Sequence, residues 1–256
     1  MAGPIKTHFP RSGGQQWVDS FYRFLEPVGN VIYVSSTAST SSATGPGYSP
    51  ETAFTSVALA LASGSVVASN GDTVVVMPGH VETIIGAAGV ALSKIGVAII
   101  GMGVGRQRPI FNYTTAAAAS LDVTAAKCSI TNCVFTMIGV DAVTAGINVS
   151  GADFVFADNE VEFADGTNQA TLALLTAATA SRMQILRNYF HGSANAGTAA
   201  CIRHVAGDGV RIDGDRVYVG DELVGVGVRQ THESVSADME VARQRLRRTA
   251  GRARGP

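Results

Sequence analysis

The sequence predicts an all-β protein that folds as a right-handed parallel β-helix, a solenoid in which short strands stack coil upon coil. Three observations support this fold class. A strand-and-turn pattern recurs at intervals of 26–31 residues, Asn or Asp recurs at one turn of successive copies, and the apolar residues are mostly small or β-branched. Hydrophobic residues make up 46% of the chain but aromatic residues only 7%, which suits a thin core along the axis of the stack.

The repeat begins with an apolar–x–apolar triplet. Its five copies start at Val97, Cys128, Phe154, Met183 and Val210, so the starts are 31, 26, 29 and 27 residues apart. Strands this short do not form an independent sheet. We therefore expect each strand to pair in parallel with its copy one repeat later, while the rest of the coil supplies the crossover that parallel strands need.

Each copy continues with a turn and two further strand segments. Cys133, Asn159, Asn188 and Asp215 lie five residues after the last four starts. Because Asn and Asp hydrogen-bond to nearby backbone and tolerate left-handed backbone angles, we expect a polar side-chain ladder at this turn. An apolar pair follows the turn and forms the second segment. The third segments are predicted at residues 121–123, 147–149, 174–176 and 202–204.

The first coil is preceded by a strand at residues 30–35 and a loop at 36–47 that is rich in Ser, Thr and Gly. Such a loop carries no core-forming residue. A turn at 70–72, made of Asn, Gly and Asp, precedes the next predicted strand at 73–77. The chain therefore enters the repeats through two strands that are already apolar.

A helix is predicted between these two strands, over residues 50–62. Ser49 is a favourable N-cap, Pro50 suits the first helical turn, and Glu51 lies at the positive end of the helix. Gly64 ends the apolar run. We expect this helix to close one end of the stack.

Two other architectures account for the pattern less well. A β-sandwich needs turn signals about every 8–12 residues, which the sequence supplies only in part. An α/β sheet needs helices of about 10–15 residues between its strands. The Ala- and Thr-rich segments 116–119 and 170–180 are too short or too β-branched for that role.

Four segments resemble a known family. Residues 49–54 and 70–84 are similar to the opening of pectate-lyase-like right-handed β-helix proteins. Together with 99–103 (IIGMG) and 106–109 (RQRP), they resemble more closely a group of β-helix proteins encoded by tailed bacteriophages. The resemblance extends over about residues 30–220. It is more specific for the fold than for the role.

The resemblance implies a structural protein of a virion. The main expectation is a capsid decoration or cement protein that binds the major capsid protein, stabilises the outer head shell, and is made in the host cytoplasm. By analogy with related β-helices, a homotrimer is expected. The alternative is a tail-associated protein that binds or cleaves host surface polysaccharide. A bacterial surface adhesin is disfavoured, because no secretion signal is visible at the N-terminus.

The acidic residues are candidates for a glycan-cleaving site, since glycoside hydrolases need two carboxylates that face each other. The candidates are Asp158, Glu160, Glu162, Asp213 and Asp215. The repeat aligns Asp158 with Asn132, Arg187 and Gly214, so no ladder of carboxylates forms. We interpret these residues as solvated turn or exterior groups.

His80 is the other catalytic candidate, and with Glu82 it could form a small polar cluster. The competing interpretation is a turn histidine that hydrogen-bonds a neighbouring coil. Arg106, Arg108 and Arg187 could bind a glycan or a phosphate, or pair with acids on the surface. No complete catalytic set emerges, so we expect no enzyme activity, no cofactor and no metal.

The N-terminal segment, residues 1–29, is predicted to be a docking arm. Residues 15–26 place Trp17, Phe21 and Leu25 on one stripe of a short amphipathic helix. This stripe either packs on the end of the same domain or docks on another subunit, since interfaces favour aromatic residues. The candidate docking residues here are Trp17, Phe21, Tyr22 and Phe24.

The predicted β-helix occupies residues 30–225, and a basic tail follows at 226–256. Residues 236–254 read as a capped helix with acids early and arginines late. The tail is solvated, or docks on an acidic partner such as a capsid shell, or contacts nucleic acid. The candidate docking residues here are Arg243, Arg247, Arg248 and Arg252.

Composition excludes several classes of protein. The apolar content excludes disorder of the whole chain, and a formal net charge of −1 argues against a nucleic-acid partner. Segment 81–103 is interrupted by Glu82 and Lys94, so we expect no membrane-spanning helix. The three cysteines lack metal-ligand spacing; we expect them to be buried, reduced thiols.

Overall fold

A computed structural model describes residues 29–37, 42–165, 167–193, 200–219, 222–223 and 228–230. These residues form twenty β-strands, one α-helix and two short 3₁₀ turns. The strands stack into a parallel β-helix of about five complete turns. The predicted fold class is therefore confirmed.

Three sheets form the walls of the β-helix. In spatial order, sheet 1 contains β1 (Val31–Val34), β2 (Thr73–Val76), β5 (Ala98–Gly101), β8 (Ser129–Thr131), β11 (Val155–Ala157), β14 (Gln184–Leu186) and β17 (Arg211–Asp213). Sheet 2 contains β3 (Val81–Thr83), β6 (Ile110–Asn112), β9 (Val134–Thr136), β12 (Glu160–Ala164), β15 (Tyr189–Gly192), β18 (Arg216–Val219) and β19 (Glu222–Leu223). Sheet 3 contains β4 (Val90–Leu92), β7 (Leu121–Val123), β10 (Ile147–Val149), β13 (Leu172–Thr176), β16 (Ala200–His204) and β20 (Val228–Gln230).

The register of sheet 1 follows the sequence repeat. Ala98, Ser129, Val155, Gln184 and Arg211 stand opposite one another in successive strands. Each of them is the middle residue of a predicted triplet. Residues that are equivalent in the sequence repeat therefore pair directly in the sheet. The length of the repeat varies because the turns between the strands differ in length, while the strands themselves stay aligned.

The core runs along the axis and is filled by the inward side chains of all three sheets. Phe111, Phe135 and Phe156 are fully buried in successive layers. The rings of Phe111 and Phe135 are stacked with centroids 5.3 Å apart, and Phe156 lies 5.7 Å beyond Phe135. Burying each such side chain stabilises the fold by about 1.5–3 kcal/mol, so the stacked rings tie one coil to the next.

The predicted polar ladder lies between sheets 1 and 2. The N–H of Cys133 donates to Oδ1 of Asn159 (2.9 Å), and the N–H of Asn159 donates to Oδ1 of Asn188 (2.9 Å). The N–H of Asn188 donates to Oδ1 of Asp215 (2.6 Å). Asn159 and Asn188 are 1% exposed. The ladder satisfies backbone donors that would otherwise be buried without partners.

The left-handed angles occur one residue earlier than predicted. The residues with positive φ are Asn132 (59°), Asp158 (56°), Arg187 (55°) and Gly214 (70°). This position, which is half-buried at Asn132 and exposed at the other three residues, carries the backbone reversal, and the next residue then points its side chain inward. The repeat aligns these four residues correctly, but the left-handed angles were predicted for the ladder residues themselves.

The helix predicted over 50–62 is shorter and interrupted. Pro50–Thr52 forms a 3₁₀ turn, and α1 covers only Val57–Ala62. Phe54 lies between them in an extended conformation: its N–H donates to the carbonyl of Tyr33 (2.9 Å), and its carbonyl accepts from the N–H of Ser35 (2.8 Å). Pairing of the buried Phe54 with the first strand therefore outcompetes helix propensity. Helix α1 packs against β1, β2 and β4.

The C-terminal boundary at residue 225 was placed too early. Strand β19 pairs in an antiparallel direction with β18, and β20 adds in parallel to β16. Strand β20 lies inside the predicted tail, so the β-helix continues at least to residue 230. The docking candidates proposed for the two ends lie outside the described residues. They are Trp17, Phe21, Tyr22, Phe24, Arg243, Arg247, Arg248 and Arg252.

The cysteines are buried, free thiols, as predicted. Cys128, Cys133 and Cys201 form no disulfide. Burial raises the pKa of the Cys133 and Cys201 thiols to about 12 and also raises the pKa of Cys128. All three are therefore protonated near neutral pH and behave as small apolar residues.

The last position of the ladder is imperfect. The side-chain amides of Asn159 and Asn188 donate to the carbonyls of Ile130 (3.0 Å) and Phe156 (2.9 Å). The register places the carbonyl of Ile185 at the equivalent position for Asp215. A carboxylate has no N–H to offer there, and Oδ2 of Asp215 is buried without a hydrogen-bond partner among the described residues.

We expect Asp215→Asn to stabilise the protein at pH 7, because its amide can donate where the carboxylate cannot. Burial raises the pKa of Asp215, so the ionised form weakens the fold and this penalty disappears as the pH falls through the raised pKa. The gain of about 1 kcal/mol, or roughly 2–4 °C in Tm, should therefore shrink as the pH falls through the raised pKa and vanish at a pH of about 3, below the ordinary pKa of Asp. Thermal denaturation at both pH values measures it. Asp213→Asn, at an exposed position, is the control; an equal gain in both variants would contradict the explanation.

Candidate functional site

The candidate pair His80 and Glu82 is buried beneath α1. His80 is 0% exposed and Glu82 is 7% exposed. Nδ1 of His80 accepts a hydrogen bond from the N–H of Ser36 (2.9 Å), which assigns the ring proton to Nε2. Nε2 then donates to Oε2 of Glu82 (3.1 Å). The predicted polar cluster exists, but it is enclosed in the fold.

Glu82 serves α1. Its Oε2 accepts from the N–H of Val57 (2.6 Å) and its Oε1 from the N–H of Ala58 (3.1 Å). At the other end of the helix, the ammonium of Lys94 donates to the carbonyls of Ser63 (2.7 Å) and Val66 (2.8 Å). A negative charge at the N-terminus and a positive charge at the C-terminus complement the helix dipole. His80 and Glu82 are therefore structural groups.

Most of the acidic candidates occupy the exterior positions predicted for them. Asp158 forms a two-point ion pair with Arg187 (2.8 and 2.7 Å), which is the surface pairing considered for that arginine. Asp213 pairs with Arg211 (2.6 Å) on β17. Asp215 occupies the ladder position that the repeat predicts, so its interpretation as a solvated turn residue was wrong.

Glu160 is the centre of a polar cluster on the outer face of sheet 2. Its Oε2 accepts from Nη1 of Arg108 (3.0 Å), and its Oε1 lies 3.1 Å from Nε2 of His191. Nη2 of Arg108 also donates to the carbonyls of Cys133 (2.8 Å) and Asp158 (3.0 Å). One arginine thus links three successive coils, and both oxygens of Glu160 have partners.

Aromatic rings extend this cluster toward the next coils. Tyr189 stands opposite Glu160, and His191 stands opposite Glu162. The rings of Tyr189 and His191 are stacked with centroids 4.7 Å apart, and Tyr218 meets Tyr189 edge-on at 5.6 Å. Tyr189 is 39% exposed. The outer face of sheet 2 therefore offers rings and charged groups side by side.

We call this set the sheet 2 patch. It consists of Arg108, Glu160, Glu162, Tyr189, His191 and Tyr218. Sequence reasoning named its acids and Arg108 separately but missed the cluster, and it did not identify Tyr189 or His191 as site residues. The signal that could have found it is the coil register, which places outward residues of β12, β15 and β18 in columns.

The patch is better suited to binding than to hydrolysis. Glu160 and Glu162 lie two residues apart on one strand, so their Cα atoms are about 6–7 Å apart, and they lie on one face instead of facing each other across a bond. A general acid must also be free to give up a proton, whereas Glu160 is held by Arg108 and His191. The rings can pack against the apolar face of a ligand, and the charged groups can bond its polar edge.

A shallow groove of about 340 Å³ lies on the outer face of sheet 3. Asp122, Asn148 and Leu175 line it. The carboxylate of Asp122 accepts from the side-chain amide of Asn148 (3.0 Å). The lining of the groove thus contains one carboxylate, which is already hydrogen-bonded, and no second titratable side chain.

Within the described residues, no helix reaches the length and apolar character needed to cross a bilayer. Across the same part of the chain, no three His, Cys, Asp or Glu side chains come together in a group that could hold a metal ion. Comparison of the sequence with protein-family models, with curated proteins and with solved structures finds no match.

The capping role of Glu82 gives a stability prediction. Glu82→Gln retains one acceptor but directs an NH₂ group toward backbone N–H donors, so a buried donor loses its partner. We expect a loss of about 1–3 kcal/mol in the free energy of unfolding, measured by chemical denaturation. Glu51→Gln, at an exposed position of the 3₁₀ turn, should change stability by less than about 0.5 kcal/mol. Equal effects of the two substitutions would refute the buried capping role.

Proposed function

We propose that this chain is a structural protein of a bacteriophage virion that decorates and stabilises the outer head shell. The observation that carries the proposal is that residues considered as catalytic candidates have structural roles. His80 and Glu82 hold α1, Asp215 ends the ladder, and Asp158 pairs with Arg187. A chain that commits these groups to a rigid solenoid is suited to presenting surfaces to partners.

The resemblance to phage β-helix proteins supplies the proposed partner, which is the major capsid protein. The arginine-rich C-terminal segment carries Arg243, Arg247, Arg248 and Arg252, and it suits an acidic shell surface. The proposal includes a homotrimer on the capsid surface, since a β-helix offers flat sides for association. Both features rest on analogy and on charge.

The test uses capsids that lack the protein. Adding the full chain should raise the temperature at which these capsids open, because a ligand that binds only the intact shell stabilises it by mass action. Reversing the four C-terminal arginines to Glu should weaken binding at least tenfold, measured by cosedimentation. Arg106→Glu, an exposed position between β5 and β6, is the matched control. An unchanged opening temperature with the full chain would contradict the decoration role.

The sheet 2 patch favours a second candidate function, which is binding of a host surface polysaccharide. Sugar rings present C–H faces that pack on aromatic rings and hydroxyls that bond carboxylates. The tyrosines of the patch provide the first kind of contact, and Glu162, which has no side-chain partner among the described residues, provides the second. A flat sheet face suits an extended chain ligand better than a small molecule, which prefers an enclosed pocket.

For this second function, Tyr189→Ala should weaken polysaccharide binding about tenfold, equivalent to about 1.4 kcal/mol. The change removes the exposed ring against which a sugar would pack. Glycan-array or calorimetric binding measures the effect. Tyr48→Ala is the matched control, because Tyr48 is 54% exposed and lies far from the patch in sequence. Equal affinity of the Tyr189 variant and the original chain would remove the patch from consideration, and release of oligosaccharides that depends on Glu162 would show cleavage instead of binding.

A further inference from the structure

The outer face of sheet 3 carries opposite charges at the two ends of four successive coils. The outward residues that stand opposite one another on β7, β10, β13 and β16 are Asp122, Asn148, Leu175 and Arg203. Asp122 lines the groove on this face and accepts a hydrogen bond from Asn148, and Arg203 is exposed. Neither charge forms an ion pair within the part of the chain that the structure describes. The face is therefore negative in the first of the four coils and positive in the fourth.

The turns that lead from sheet 3 to sheet 1 form a corner of the solenoid, and the charges of this corner follow the reverse order. Lys127, Asp153 and Arg182 occupy equivalent positions of the first three coils, with φ angles of 59°, 58° and 53°. Asp153 and Arg182 pair with each other. Lys127 and, in the fourth coil, Asp208 are exposed, and neither forms an ion pair among the described residues. The unpaired charges of the corner are therefore positive in the first coil and negative in the fourth.

The heights of these charges match between two copies of the chain. Residues of one coil lie at nearly the same height along the axis, and successive coils are about 4.7–4.9 Å apart. When the corner of one copy lies on sheet 3 of a second copy with the two axes parallel, Lys127 faces Asp122 of the second copy. Three coils further along the axis, Asp208 faces Arg203 of the second copy. Each unpaired charge then gains an opposite charge.

The two coils between these charges are compatible with the same contact. Asp153 of the corner faces Asn148 of the second copy, whose side-chain amide has two N–H donors for carboxylates. Arg182 faces Leu175 of the second copy, and the aliphatic stem of an arginine packs well on such a residue. Ala177 continues the apolar surface beside Leu175 in the lining of the groove. The contact therefore has a largely neutral centre between two ion pairs.

The order of the charges selects the relative direction of the two copies. In an antiparallel arrangement of the same four coils, Lys127 would face Arg203, and Asp208 would face Asp122. Like charges that face each other across an interface suppress an association. The charges therefore favour copies whose axes are parallel.

We propose that the corner of one chain binds the sheet 3 face of a second copy with parallel axes, through ion pairs of Lys127 with Asp122 and of Asp208 with Arg203. The contact joins two different surfaces, so it is heterologous, and such contacts close into a ring when the rotation permits. The inference rests on the proposed function for the number of chains, because the homotrimer proposed above sets the ring at three. It adds the two surfaces that meet.

Charge exchange tests the contact in the full-length protein. Sedimentation equilibrium of the original protein should give three times the mass of the 26.4 kDa chain. Lys127→Asp alone and Asp122→Lys alone should each weaken association at least tenfold, because like charges then face each other. The chain that carries both substitutions should associate again, since the ion pair is restored in the opposite sense. Arg106→Glu, at an exposed position between sheets 1 and 2, is the control and should leave the mass unchanged.

Three results would overturn the inference. Single variants that sediment like the original chain would show that these charges do not meet. A double variant that folds, as verified by far-UV circular dichroism, but stays dissociated would show the same. A mass of two chains would exclude the ring. The opening temperature of capsids tests the decoration role separately, because none of these substitutions changes the C-terminal arginines.

A zero-length cross-link identifies the two residues without any substitution. A carbodiimide activates a carboxylate, the deprotonated amine of a lysine attacks it, and an amide forms as the urea leaves. The chain has only the lysines Lys6, Lys94 and Lys127, so mass spectrometry can assign the product. In isotopically light and heavy chains that are mixed as dilute monomers and then concentrated, the amide between Lys127 and Asp122 should join light to heavy peptides. An amide found only within light or only within heavy chains would overturn the contact between copies.

Discussion

Every part of this structure depends on parallel pairing between equivalent positions of successive coils. Strands of three to five residues gain stability only from the coil before and the coil after them. A shift of one residue would exchange inward and outward side chains and would expose Phe135 or Phe156. The buried amides of Asn159 and Asn188 oppose such a shift, because each bonds the backbone of the preceding coil at one defined position. Packing drives the stack, and the ladder fixes its register.

A stack that grows by repetition has two ends, where the repeat cannot supply the next partner. At the N-terminal end, β1 and α1 cover the first coil, and the charges of Glu82 and Lys94 satisfy the two ends of that helix. At the other end the ladder terminates on Asp215, whose second oxygen lacks a donor among the described residues. The structure therefore departs from the repeat at its two ends. At one end a helix takes the place of a strand, and at the other a carboxylate takes the place of an amide.

The repeated part could be predicted from sequence, because residues one repeat apart in the sequence are the residues that pair in the structure. The triplets that start at Cys128, Phe154 and Met183 overlap the paired strands β8, β11 and β14. The interrupted helix could not be predicted, because the cap signals at Ser49 are also compatible with a 3₁₀ turn, and only the partner strand shows why Phe54 is extended. The sheet 2 patch was hidden for a related reason. Arg108 and Glu160 are 52 residues apart, and turns of unequal length prevent a fixed period from aligning exterior side chains.

The outer faces of the sheets carry information that the core cannot. The interior of a β-helix must be apolar for the fold to exist, whereas an outward position tolerates any residue that suits a strand. A charge in place of the half-buried Ile100 would leave the inward residues unchanged, and Arg211 and Asp213 show that the same columns of sheet 1 accept charges. Folding therefore requires neither the apolar character of sheet 1 nor the rings and charges of sheet 2. Because the patterns differ on neighbouring walls of one solenoid, the needs of the core alone do not explain either of them.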